Sequence, residues 1–175
     1  SCDAGICPTK FQHKQFPKEF ASKIHVMHDG VDTDYCRPND DAEFLIKDKN
    51  ITLTRNDEVI TYATRGMEAY RGFPEFMKAV EILLKKRPNL QVVIGGEDRV
   101  CYGPQLVGTT YKKMMLEQLD LDLNRVHFTG GLPFNEYVKL LQISSAHVYL
   151  TYPFVCSWSM LDAMSCACPL IASKT

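Results

Sequence analysis

The sequence predicts an α/β fold: a parallel sheet with helices on both faces. Two observations carry that expectation. Apolar runs of strand length and segments of helical spacing alternate five times between residues 59 and 173. The strand runs are continuously apolar rather than alternating, as in strands covered on both faces.

The elements follow in order. "VITYAT" (59–64) reads as a strand. In "GFPEFMKAVEILLKKR" (72–87), Phe76, Val80, Leu83 and Leu84 fall at helical spacing. Lys85, Lys86 and Arg87 sit where the helix dipole favours cations, and Pro88 stops the helix. "LQVVIGG" (90–96) is a second buried strand and "TTYKKMMLEQL" (109–119) a short helix. "RVHFTG", "FNEYVKLLQIS" and "AHVYLTY" read as strand, helix and strand. "SMLDAMSCA" is a helix and "PLIAS" a last strand. The sum is a Rossmann-like layer.

The first ~50 residues differ. "PTKFQHKQFPKEFASK" reads as a short helical segment interrupted by proline. "IHVMHDGVDTDYCRPNDD" reads as a strand, a glycine turn and a polar connector, and "FLIKDKNITLTRNDE" as a short lid or edge segment. The expected division is 1–49 as the end of a preceding domain plus connector, and 50–175 as the Rossmann-like domain.

Composition narrows the function classes. The chain has 175 residues, 45% of them hydrophobic, ample material for a core. Lys+Arg is 20 against 21 Asp+Glu. That balance argues against a nucleic-acid polymer as partner, whose electrostatic footprint is basic. A small anionic ligand needs only two or three placed cations. "SCDAGICPTK" lacks the apolar run of a signal peptide. The seven cysteines are odd in number and form no C-x-x-C pair, which fits a reducing cytoplasm. No metal site is expected: Cys166 and Cys168 have no matching ligand pair, and Asp32 and Asp34 lie in the connector. No cofactor is expected either.

In open parallel sheets, ligands bind outside the carboxyl ends of the strands. The first such exit, "RGMEAYRG", carries Arg65 and Arg71 beside Gly66 and Gly72. Two guanidinium forks on one loop suit a diphosphate, although paired surface arginines are also common. The fourth exit, "PFVCSWS", places Ser157, Trp158 and Ser159 before a helix start, whose N–H groups and dipole favour an anion. Trp158 reads as a packing residue or a ligand contact. Asp162 reads as a ligand contact or as the carboxylate of a capping box with Ser159.

Taken together, these motifs resemble the C-terminal, donor-binding domain of the family 4, "group 1" retaining nucleotide-sugar glycosyltransferases, which are built from two facing Rossmann-like domains (GT-B type). "HDGVD" is similar to the family's interdomain motif, and "RGMEAYRGFPEFMKAV" to its Arg-Gly…Lys-Gly loop. "VIGGED" and "VHFTGGLPFNEYVKLLQISSAHVYL" resemble the second strand exit and the segment before the signature. "PFVCSWSMLDAMSCACPLIAS" aligns with the family's Glu-x7-Glu segment.

The resemblance implies that Arg65 and Arg71 grip the nucleotide diphosphate and stabilise it as leaving group, with Arg71 standing for the usual Lys. Gly66, Gly130, Ser157, Trp158 and Ser159 are implied around the donor. Asp162 stands for the ribose-binding Glu, one bond shorter. The first signature Glu, associated with the donor sugar, is Phe154, the largest departure. The Gly after the signature helix is Ala167, so a differently built helix cap is expected. The implied activity is retaining transfer of a hexosyl group from a nucleotide-diphosphate sugar to an acceptor held by an N-terminal domain that this chain lacks. The fragment alone is then expected to be inactive and prone to self-association. The implied setting is cytoplasmic, with peripheral membrane association open to the full-length protein. The departures at Phe154 and Asp162 leave open a non-catalytic nucleotide- or partner-binding domain on the same fold.

Overall fold

The computed structural model describes residues 2–152 and 156–174. The chain begins with β1 (Gly5–Cys7), α1 (Lys10–His13), a 3-10 turn at Lys18–Lys23 and β2 (Ile24–Val26). The expected helical segment is thus split around Pro17, which cannot donate a helical hydrogen bond. β1 and β2 form a small parallel pair in the register Gly5↔Ile24.

The stretch read as a lid or edge is instead an antiparallel hairpin of β3 (Glu43–Ile46) and β4 (Ile51–Thr54). Its alternation explains its place. Phe44, Ile46 and Leu53 turn inward and pack with Val59, Val93, Leu140 and Ile143, while Leu45 faces solvent. Asn50, with φ of 51°, makes the turn in a conformation Asn tolerates well.

The main layer contains β5 (Val59–Gly66), α2 (Phe73–Lys86), β6 (Gln91–Glu97), α3 (Tyr111–Gln118) and β7 (Val126–Gly130). It continues with α4 (Phe134–Ile143), β8 (Ala146–Tyr149), α5 (Trp158–Ser165) and β9 (Leu170–Ala172). Five strands pair in parallel in the order β7-β6-β5-β8-β9. Val92 and Ile94 face a core completed by Phe73, Phe76, Met77 and Val80 of α2 and Met115 of α3. Val93 faces the other side, toward α4. The sheet is therefore covered on both faces, which is why its strands carry few polar residues.

Local signals account for the helix ends. Thr110 caps α3, its hydroxyl accepting from the Lys113 amide at 3.1 Å. Gly72 is the N-cap of α2, with Pro74 in the first turn. β8 stops at Tyr149, earlier than the apolar pattern predicts, because Thr151 and Tyr152 turn away to bond the loop after β5. At the end of α5, Ala167 takes a left-handed φ of 53°. Its amide bonds the Met164 carbonyl at 3.0 Å, and the Cys168 amide bonds Ala163 at 2.9 Å. This pair of bonds is a Schellman cap, so the glycine-type cap is kept without its glycine, contrary to expectation.

Candidate functional site

The strand order creates the site. From β5 the chain runs outward through β6 and β7, then returns to place β8 on the other side of β5. The loops leaving β5 and β8 diverge at this switch point and leave a crevice. A cleft of about 690 Å³ opens there. Its walls come from the ends of β5, β6 and β8, the turn after β7, the start of α5, and Pro8, His28 and Asp29 of the first segment.

Six of the eight residues singled out from sequence line this cleft: Arg65, Arg71, Ser157, Trp158, Ser159 and Asp162. Gly66 and Gly130 do not line it. Gly66 has another reason to be glycine: a Cβ there would meet the Arg99 carbonyl oxygen at 2.5 Å and Cys101 Sγ at 2.8 Å. Gly130 ends β7 at φ 69°, and its neighbour Gly131 reaches the cleft instead. Phe154 lies outside the described residues.

Arg65 stands near the end of β5, and Arg71 closes a 3-10 turn, Ala69–Arg71. Gly72 lets this loop approach the β8 exit, since its φ is 63° and a Cβ would strike Leu150 at 2.5 Å. The Tyr70 carbonyl accepts from the Tyr152 amide at 3.1 Å and the Thr151 hydroxyl at 3.3 Å. Tyr62 donates its hydroxyl to the Arg71 carbonyl at 2.9 Å, and the Arg71 guanidinium lies 5.1 Å from the centre of the Tyr102 ring. Burial pushes the Tyr62 phenol far above its ordinary range, so it stays a neutral donor.

The start of α5 faces the same space. Ser157 is the N-cap but makes no side-chain cap bond; its hydroxyl lies 2.9 Å from that of Ser159. Because the helix begins at Trp158, Asp162 lies two residues beyond the capping-box position, and that alternative reading is corrected. Asp162 is buried and faces the Cys36 thiol, 3.9 Å from Oδ1, and Tyr137. Burial raises its pKa above the usual carboxylate range, while hydrogen bonds from Tyr137 and Cys36 pull it partway back. Trp158 is 60% exposed, and its Nε1 donates to Asp29 Oδ2 at 3.0 Å.

The structure adds residues that sequence reasoning passed over. Glu97 and Arg99, paired at 2.6 Å, line the cleft at the β6 exit. Phe134 lines it beside the β7 exit and stacks on Tyr35 at 5.4 Å. Glu68 is fully buried behind Arg71, and the one signal for it was its isolation as the acidic residue of a basic loop. Among the described residues, no group of three or more His, Cys, Asp or Glu side chains could hold a metal ion. Nor, among them, is any helix long and apolar enough to cross a membrane.

The family model for glycosyl transferases group 1 matches residues 45–175, well over half the chain. The chain belongs to this family. The model for the glycosyl transferase family 4 group matches residues 1–36 of this group 1 protein. No curated protein sequence matches it.

Among solved structures, it is similar to the C-terminal domain of the glycosyl transferase group 1 family protein LpcC from Francisella tularensis. Identity is 26% and the TM-score 0.64, over 83% of this chain and 71% of that one. The fold is shared with HepE from Anabaena, solved with UDP and glucose, at 16% identity and a TM-score of 0.68. That match covers 99% of this chain and 45% of HepE. It is shared too with the sucrose-phosphate synthase of Thermosynechococcus elongatus, at 16% identity and a TM-score of 0.71. There it covers all of this chain and 41% of the synthase. The sheet is thus that of GT-B glycosyltransferase C-terminal domains, and the chain spans less than half of these two longer proteins.

Proposed function

We propose that this chain binds the nucleotide-diphosphate-sugar donor of a retaining, hexosyl-transferring enzyme. The observation that carries the reading is convergence: Arg65, Arg71 and the start of α5 face one cleft at the switch point of the sheet. Two guanidinium groups and a helix N-terminus form a cationic seat for a diphosphate. As the glycosidic bond to the sugar breaks, negative charge grows on the departing nucleotide, and the same groups stabilise it electrostatically. Asp162, deeper in the cleft, supplies a carboxylate acceptor for ribose hydroxyls. The structures of HepE with UDP and glucose, and of the pneumococcal O-GlcNAc transferase GtfA with UDP and GlcNAc, support a sugar-nucleotide reading for this fold. The acceptor is held by a further domain, and the cytoplasm, with its nucleotide-sugar pools, is the proposed setting.

Titration calorimetry with UDP, GDP and ADP tests the reading. One of the three is expected to bind, and Arg71→Ala is expected to weaken it at least tenfold, about 1.4 kcal/mol. Uptake of none of them would overturn the donor-site reading; unchanged affinity in Arg71→Ala would remove Arg71 from it.

A further inference from the structure

We infer that Glu68 is a positioning residue for Arg71, acting through Tyr102. The inference rests on the reading of Arg71 as a diphosphate ligand and adds how that side chain is aimed.

Glu68 lies between the two arginines in sequence, yet it is 0% exposed and does not line the cleft. It grips two separate pieces of chain. Its carbonyl accepts from the amides of Arg71 and Phe73, both at 3.2 Å, and so shapes the turn that carries Arg71. Its Oε2 accepts from the amides of Tyr102 at 3.0 Å and Gly103 at 2.7 Å, on the loop leaving β6. That loop presents the Tyr102 ring to the Arg71 guanidinium, 5.1 Å from the ring centre. Both of those side chains line the cleft. Gly103 fits the arrangement, because a Cβ there would come within 3.2 Å of Oε2 and 3.4 Å of the Tyr70 ring.

A long arginine side chain on a surface turn samples many rotamers, and ordering it on binding weakens the complex. An aromatic face narrows that sampling by attraction to the cation. The ring can do so only if its backbone is fixed relative to the turn, and the Glu68 carboxylate supplies that link. Among the described residues, Glu68 Oε1 has no hydrogen-bond partner. One acceptor oxygen is therefore enough for the clamp, and a glutamine amide, which keeps one, can serve in its place.

The test is a double-mutant cycle read by calorimetry, using whichever of UDP, GDP and ADP binds the wild-type chain. Glu68→Ala and Tyr102→Leu are each expected to weaken that diphosphate about three- to tenfold. Glu68→Gln is expected to restore near-wild-type affinity. In an Arg71→Ala background, both effects are expected to vanish, which a purely structural contribution would not do. Equal factors with and without Arg71, or wild-type affinity in Tyr102→Leu, would overturn the inference. Where Glu68→Ala does not fold, Tyr102→Leu completes the same cycle alone. Failure of the donor reading is distinct, because it shows in the wild-type chain as uptake of no diphosphate.

Discussion

Ala167 adopts a backbone conformation that a Cβ disfavours by roughly 1–2 kcal/mol, yet its two Schellman bonds hold it there. Ala167→Gly removes that strain, and the greater freedom of glycine in the unfolded chain offsets part of the gain. A net stabilisation of about 0.5–1 kcal/mol is expected in urea unfolding, with the α5 cap intact. His147 makes the opposite kind of statement. It is fully buried in the sheet, with Nδ1 2.8 Å from the Thr61 hydroxyl and Nε2 without a partner among the described residues, and burial lowers its pKa from 6.5 to about 4. The folded state thus resists a proton that the unfolded state accepts. Stability is full above pH 6.5 and falls as pH drops toward 4, by up to about 3 kcal/mol. His147→Asn is expected to flatten that acid limb in unfolding measured from pH 7.5 to 4.5. His127, also lowered to about 4, keeps part of the slope.

At the scale of elements, the strands and helices from β5 to β9 were legible because each buries a characteristic face. Val92 and Ile94 serve one side of the sheet and Val93 the other, so β6 must be apolar throughout. The cleft was legible for a topological reason: exits of parallel strands next to a reversal of strand order are where ligands fit. The β3–β4 hairpin was not recognised, since four-residue strands with only Phe44, Ile46 and Leu53 inward give a weak period-two signal. The clamp from Glu68 to Tyr102 spans 34 residues and has no local pattern at all. The hairpin's importance can be measured. Phe44 is 2% exposed against 43% for its neighbour Leu45. Phe44→Ala is expected to cost about 3–5 kcal/mol and Leu45→Ala about 0.5 kcal/mol or less. Similar losses from both would show that the hairpin does not close this side of the core.

For the whole molecule, the first segment carries the features that bear on association between copies. Parallel strands normally sit inside sheets with both faces covered, but among the described residues β1 and β2 pair only with each other. Around them Ile6, Phe11, Phe16, Phe20 and Met27 are each 45% exposed or more. Exposed apolar side chains beside unpaired strand edges favour association over exposure to water. The net charge of -1 offers little long-range repulsion against it. Concentration-dependent self-association of the 175-residue chain is therefore expected in sedimentation velocity, weakened by Phe11→Ser together with Phe20→Ser. The same pair of substitutions is expected to leave diphosphate binding intact, because neither side chain lines the cleft. A clean monomer across a hundredfold range of concentration would show that this surface is too divided, or too well screened by Lys10, Lys14 and Lys18, to drive contact between copies.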